Sequence, residues 1–231
     1  MRVLELFSGT KSVSKVCRAQ GHETLSIDID GEHCPDLQMD ILAFDETAYP
    51  RDHFQFIWAS PPCESYSQAR SSASLGREAA MQRADALVGK TLRIIEWFHG
   101  AEWAVENPAS SRLWKREVAS ELAKKSWVTS YCAFGYNYRK NTRISCSKPL
   151  TLPVCGGLGV CHAMVGSSHL EHAQQGHRGR HKCHAQKGGG GTLNVYHTRN
   201  QLHSIPPGLI QLILSQVFPG TDRPLSSVVC P

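Results

Sequence analysis

A chain of 231 residues, 41% hydrophobic and 19% charged, is long enough to bury one full-sized core and does not need disulfide staples. Nine cysteines without a signal-peptide pattern in the opening Met1-Arg2-Val3-Leu4-Glu5 predict a reducing, cytoplasmic setting with free or metal-bound thiols, and no apolar run is long enough to span a bilayer. The formal charge of +5 permits a nucleic-acid partner without requiring one.

The apolar run Val3-Leu4-Glu5-Leu6-Phe7 predicts a strand, and Ser8-Gly9-Thr10 a turn into a helix with Val13, Val16 and Cys17 on one face. Strand, glycine turn and helix suit a nucleotide-like cofactor, because glycine allows close backbone approach and the helix N-terminus offers amides. An ordinary βα turn reads the same way, and Lys11 stands where another glycine would extend the fingerprint. A second strand over residues 23–27 ends in Asp28-Ile29-Asp30, at a spacing where a carboxylate can accept hydrogen bonds from ribose hydroxyls. A third, short strand over residues 38–42 offers Asp40 to an adenine amine and Ile41 to its face. Taken singly, each acid is equally well a solvated strand end.

Phe56-Ile57-Trp58-Ala59 breaks at Ser60-Pro61-Pro62-Cys63. A buried parallel strand opens there into a loop at its carboxyl end, where open α/β sheets place ligands. The prolines restrict the backbone beside the Cys63 thiol. The polar, serine-rich residues 65–76 predict a mobile active-site loop. Residues 78–98 predict a core helix that turns Ala84, Leu87, Val88, Thr91, Leu92, Ile95 and Phe98 inward. A fifth strand, Trp103-Ala104-Val105, ends in Glu106-Asn107-Pro108.

In this order, Leu4-Glu5-Leu6-Phe7-Ser8-Gly9-Thr10, Asp28, Asp40-Ile41, Pro61-Pro62-Cys63 and Glu106-Asn107-Pro108 resemble the motifs of the DNA (cytosine-5)-methyltransferases. The resemblance is strongest to the compact phage-like members, with their restriction-modification setting, and covers residues 1–145 and a tail segment. It implies an α/β, Rossmann-like fold with a mostly parallel sheet, S-adenosylmethionine as cofactor, DNA as partner and a monomeric enzyme. It implies that Phe7, Ser8, Gly9, Thr10, Asp28, Asp40, Ile41 and Pro61 hold the cofactor. Cys63 would be the nucleophile toward a flipped cytosine, and Glu106 would contact the base. Arg143, in Arg139-Lys140-Asn141-Thr142-Arg143, matches the second arginine of the family's eighth motif and would brace the base; Asn141 replaces the first. A basic surface hairpin is the other reading of that stretch. Two alternatives stay open: a non-catalytic nucleic-acid-binding relative, and cytosine-5 methylation of tRNA or free nucleotides.

Between residues 147 and 191 apolar periodicity disappears, and Cys155, Cys161, His162, His169, His172, His177, His181, Cys183 and His184 accumulate before a run of glycines. This predicts a short, irregular target-recognition-like insertion between a catalytic domain, 1–146, and a C-terminal segment, 192–231, that returns to it. One reading is zinc held by Cys155 and Cys161 with Cys183 or a histidine, although the cysteine spacing is wider than in a zinc knuckle. The other is a flexible, basic, DNA-facing loop carrying His177, Arg178, Arg180, His181 and Lys182. Ile205-Pro206-Pro207-Gly208 then opens a helix whose Leu209, Ile210, Ile213, Leu214 and Val217 share a core-facing stripe. In the family a late helix closes the cofactor pocket.

Overall fold

The computed structural model describes residues 1–67, 74–171 and 198–220. In chain order the elements are β1 (Arg2–Leu6), α1 (Ser12–Ala19), β2 (Glu23–Asp28), β3 (Leu37–Gln38), β4 (Phe56–Ala59), α2 (Ser74–Trp97) and β5 (Glu102–Pro108). They continue with α3 (Ser120–Lys124), β6 (Ser126–Ser130), β7 (Asn141–Cys146), the hairpin β8 (Met164–Val165) and β9 (Ser168–His169), α4 (Arg199–His203) and α5 (Pro207–Val217).

A seven-stranded sheet in the order β3-β2-β1-β4-β5-β7-β6 organises the molecule. Strands β1 to β5 pair in parallel, and β7 runs antiparallel to both of its neighbours. Central parallel strands are covered on both faces and therefore read as unbroken apolar runs. All four residues of β4 are buried, as are the four that follow Arg2 in β1. One face carries Leu4, Leu6, Ile57 and Val105 against Ala84, Val88 and Ile94 of α2. The other carries Val3, Phe56, Trp58 and Ile144 against α1 and α5. Leu209, Ile210 and Ile213 of α5 are fully buried, and such side chains stabilise by about 1.5–3 kcal/mol each. The C-terminal helix is therefore firmly docked, as its stripe predicts.

From β1 the chain runs outward to β2 and β3 on one side, then returns to build β4 and β5 on the other. The carboxyl ends of β1 and β4 thus flank a topological switch point, where a crevice opens. The mostly parallel α/β sheet expected from the sequence is the one the chain forms.

Several boundaries differ from expectation. The third strand stops at Gln38, because the Asp40 carboxylate accepts a hydrogen bond from the Leu42 amide at 3.0 Å and turns the chain into a 3-10 segment. The polar loop after Cys63 is not loose at its start. Tyr66 is fully buried, and its hydroxyl donates to Asp85 Oδ1 at 2.8 Å. Arg116 Nε donates to Asp85 Oδ2 at 2.9 Å and holds that acceptor in place. Residues 68–73, the middle of the predicted loop, lie outside the described residues, and α2 already begins at Ser74. β5 runs on through Glu106, Asn107 and Pro108 rather than ending before them. No helix among the described residues is long and apolar enough to cross a membrane.

Candidate active site

The turn after β1 bends sharply. Phe7, Gly9 and Lys11 all take positive φ, at 57°, 43° and 58°. A left-handed conformation costs a non-glycine residue roughly 1–2 kcal/mol, and such outliers cluster at functional sites. Lys11 takes the left-handed angle at the position where another glycine would suit the fingerprint. A Cβ added to Gly9 would meet nothing within 4 Å, so backbone angle, not crowding, selects glycine there.

Two carboxylates hold this turn. Asp28, at the end of β2, accepts the Gly9 amide on Oδ2 at 2.7 Å and the Asp30 amide on Oδ1 at 2.8 Å. Glu5, buried inside β1, accepts the Val13 amide at 3.1 Å and the Ser14 amide at 2.8 Å. Burial pushes the Glu5 carboxyl upward, and these amide bonds partly offset the effect. The expectation that α1 presents open amides is thus corrected: Glu5 occupies the first turn. A helix terminus already filled by a carboxylate is a poor seat for a pyrophosphate.

A cavity of about 340 Å³ lies over the carboxyl ends of β1, β2, β4 and β5, within the size range of small-ligand pockets. It is lined by Phe7, Ser8, Gly9, Thr10, Asp28, Pro61, Cys63 and Glu106, all singled out in the sequence. Strands far apart in the chain supply them because parallel strands end on the same side. Asn107, next to Glu106, donates through Nδ2 to the Pro61 carbonyl at 2.8 Å. That bond ties the end of β5 to the Pro61-Pro62-Cys63 loop. Thr142 on β7 donates its hydroxyl to Glu106 Oε1, which restricts rotation of this buried carboxylate.

Asp40, Ile41 and Arg143 do not line the cavity. Asp40 caps its 3-10 turn, and Ile41 is buried in the α2-side core. Arg143 is diverted by strand parity. In the β5·β7 register Glu106 faces Ile144, whereas Asn107 faces Arg143. Successive residues of a strand point to opposite faces, so Arg143 and Glu106 lie on opposite sides of the sheet. The Arg143 guanidinium stacks 5.3 Å from the centre of the Trp114 ring. Among the described residues, Lys140 is the lysine that lines the cavity; its Nζ donates to the Leu202 carbonyl at 2.6 Å and sits 4.7 Å from the centre of the Tyr131 ring.

The tail completes the wall with Asn200, His203 and Ile205. Asn200 Nδ2 donates to Glu32 Oε1 at 2.8 Å, and the Ile205 amide donates to Ser12 Oγ at 3.0 Å. The sequence pattern predicts α5 but not α4, and it carries no signal for Asn200 and His203, nor for Glu5 and Lys140. Strand parity along β7 is the one pattern that would have favoured Lys140 over Arg143.

The Cys63 thiol is half-buried, and its surroundings oppose ionisation. Burial pushes its pKa up and the Glu106 charge adds to this, while Lys140 pulls the other way. A half-buried thiol, a clamped carboxylate and a lysine thus line one cavity, a set of groups able to supply a nucleophile with charge control around it.

No protein-family model matches the chain. A probable DNA (cytosine-5)-methyltransferase of Frog virus 3 (isolate Goorha) is 30% identical over 228 residues, a span that takes in 93% of this chain and 99% of the viral protein. The chain belongs to the DNA (cytosine-5)-methyltransferase family. Among solved structures it is similar to the Entamoeba histolytica methyltransferase EhMeth, at 13% identity and a TM-score of 0.48 over 66% of this chain and 56% of that one. It is also similar to the S. pombe Dnmt2 methyltransferase, at 15% identity and a TM-score of 0.46 over 66% of this chain and 52% of that one. The chain spans about half the length of these solved methyltransferases. Membership in the methyltransferase family, first suggested by a few short motifs, thus extends to similarity along almost the whole chain.

Proposed function

We propose that the chain transfers a methyl group from S-adenosylmethionine to carbon 5 of a flipped cytosine in DNA, through a covalent adduct on Cys63. The observation that carries this reading is the opening of Cys63 and Glu106 onto the same cavity as the Phe7–Thr10 turn and Asp28.

The residues fit the cofactor. With the α1 terminus filled by Glu5, a ligand bearing a phosphate at that point is disfavoured. A buried carboxylate beside the cavity suits a cationic ligand instead. Each Asp28 oxygen accepts one backbone amide and keeps acceptor capacity for ribose hydroxyls. S-adenosylmethionine, when bound, supplies an electrophilic methyl group. Asp28→Ala should weaken its binding by about tenfold or more, since a hydrogen bond to a charged acceptor contributes about 1.5–3 kcal/mol. Unchanged affinity by calorimetry would place the ribose elsewhere.

Carbon 5 of cytosine is a poor nucleophile until the ring loses its aromaticity. The Cys63 thiolate forms a bond to carbon 6, while Glu106 shares a proton with ring nitrogen 3 once the base is bound and stabilises the charge that develops. Carbon 5 would then take the methyl group as the sulfur–methyl bond breaks, its electron pair staying on the sulfur of a neutral thioether. Loss of the carbon-5 proton as the Cys63–carbon 6 bond breaks restores the aromatic ring and the thiolate. A duplex hides the faces of its bases, so the cytosine must leave the stack to reach Cys63.

Because burial and Glu106 hold the thiol above its ordinary pKa, the reactive thiolate fraction grows as pH rises. kcat/KM should therefore climb with pH. Lys140→Met, which removes the charge pulling the thiol down, should move that ascending limb to higher pH. A limb that stays in place would remove Lys140 from control of the nucleophile.

The deciding experiment is methyl transfer from labelled cofactor to duplex DNA, tRNA and deoxycytidine nucleotides, with identification of the modified base. The expected product is 5-methylcytosine in DNA. Transfer to tRNA or nucleotides alone, or no transfer to any of the three, overturns the reading.

A further inference from the structure

We propose that Cys132, Cys155, Cys161 and His169 form a tetrahedral structural zinc site that fastens the insertion to the catalytic sheet. Their ligand atoms all lie within 4.8 Å of one another. Cys155 Sγ is 3.4 Å and Cys161 Sγ 3.6 Å from His169 Nε2. A tetrahedral ion with Zn–S near 2.3 Å and Zn–N near 2.0–2.1 Å sets its sulfur and nitrogen ligands about 3.5 Å apart. Those two separations match edges of such a tetrahedron, and all four ligand atoms lie close enough together to surround one ion. Three thiolates and one imidazole are a donor set that selects zinc over hard cations, and full protein coordination marks a structural site.

The backbone delivers each ligand by a separate device. Cys132 is buried in the 3-10 turn Tyr131–Phe134 that follows β6. Cys155 and Cys161 flank a turn in which Gly157 and Gly159 take φ of 76° and 82°, and the Cys161 amide donates to the Gly157 carbonyl at 2.9 Å. His169 is placed by the β8·β9 hairpin, opposite Met164. Three ligands thus come from the insertion and one from the turn that follows β6.

Apolar packing is sparse around Cys155 and Cys161. Val154, Leu158 and Val160 are 58%, 68% and 77% exposed, so hydrophobic burial contributes little around the two cysteines. Yet the segment lies along β6, the edge strand of the sheet. Thr129 Oγ1 donates to the Pro153 carbonyl at 2.6 Å, and the Cys155 amide donates to Ser130 Oγ at 3.1 Å. An ion bridging Cys132 to the insertion would lock this cover over strand groups that would otherwise invite unwanted pairing. The sequence offered Cys183 as a third thiolate. That residue lies outside the described residues, and Cys132, masked in the sequence by the apolar Tyr131 and Phe134 around it, takes the place.

The test uses the full-length, tag-free chain purified without chelator. Elemental analysis should find one zinc per chain. Cobalt(II) exchanged into the site should give the charge-transfer and strong visible bands of tetrahedral thiolate ligation. Cys155→Ser and Cys161→Ser, at half-buried positions, should lose the metal, whereas Cys183→Ser should keep it. Because none of the four ligands lines the cofactor cavity, S-adenosylmethionine affinity should survive metal loss, and proteolysis within residues 147–171 should accelerate. Zinc absent from the purified chain, zinc retained in Cys161→Ser, zinc lost in Cys183→Ser, or a Cys155–Cys161 disulfide in its place would each overturn the site.

Discussion

Replacing Cys63 with serine should reduce methyl transfer by about a thousandfold or more, the scale expected when a covalent nucleophile is removed, and leave cofactor affinity unchanged. The hydroxyl ionises far less readily than a thiol, and the cavity already resists a negative charge at this position. No hydrogen bond from the Cys63 side chain caps the 3-10 turn that follows it, so loss of the sulfur leaves the local backbone supported. DNA carrying 5-fluorocytosine sharpens the test. Fluorine on carbon 5 cannot depart as a proton, so the thioether to the wild-type enzyme persists and can be mapped by mass spectrometry. Full turnover in Cys63→Ser, or an adduct on another cysteine, would refute the covalent assignment.

Glu106→Gln should lower kcat by about a hundredfold or more, because a positioned general acid contributes roughly 10²–10⁴ and an amide cannot transfer a proton to the ring. The pH profile adds a second signature. Glu106 raises the Cys63 pKa through its charge, so the glutamine variant should shift the ascending limb to lower pH while its plateau falls. Lys140→Met shifts the same limb upward. Opposite displacements around one thiol are difficult to obtain from a general loss of folding. If Glu106→Gln lowered the plateau and left the limb where it was, the two groups would not be electrostatically coupled.

The parts of this site that were legible in the sequence are those set by short-range chemistry. An apolar run broken by Pro61-Pro62-Cys63 marks the end of a buried strand, and Asp28 follows β1 at the distance that a βαβ unit requires. Arg143 faces away from the cavity, which the composition of a basic stretch cannot foretell because it does not reveal parity. One residue of register separates the cavity from the Trp114 face. Asp40 caps a 3-10 turn rather than ending a strand, and the two settings look alike in sequence until the next amide is located. Glu5 and Cys132 were overlooked for the opposite reason. Polar groups embedded in apolar runs read as core until their buried partners are seen.

The cavity wall joins segments far apart in the chain: Ile205 meets Ser12, Asn200 meets Glu32, and Lys140 holds the Leu202 carbonyl. Contacts so distant in sequence form late and slow the folding search. During synthesis β1 to β5 can assemble before residues 198–205 of the pocket wall have been made. A growing chain should therefore acquire its ligand grip only once that wall has joined the sheet. Cofactor supply would then select chains that carry the wall over those truncated before it, by raising their resistance to unfolding.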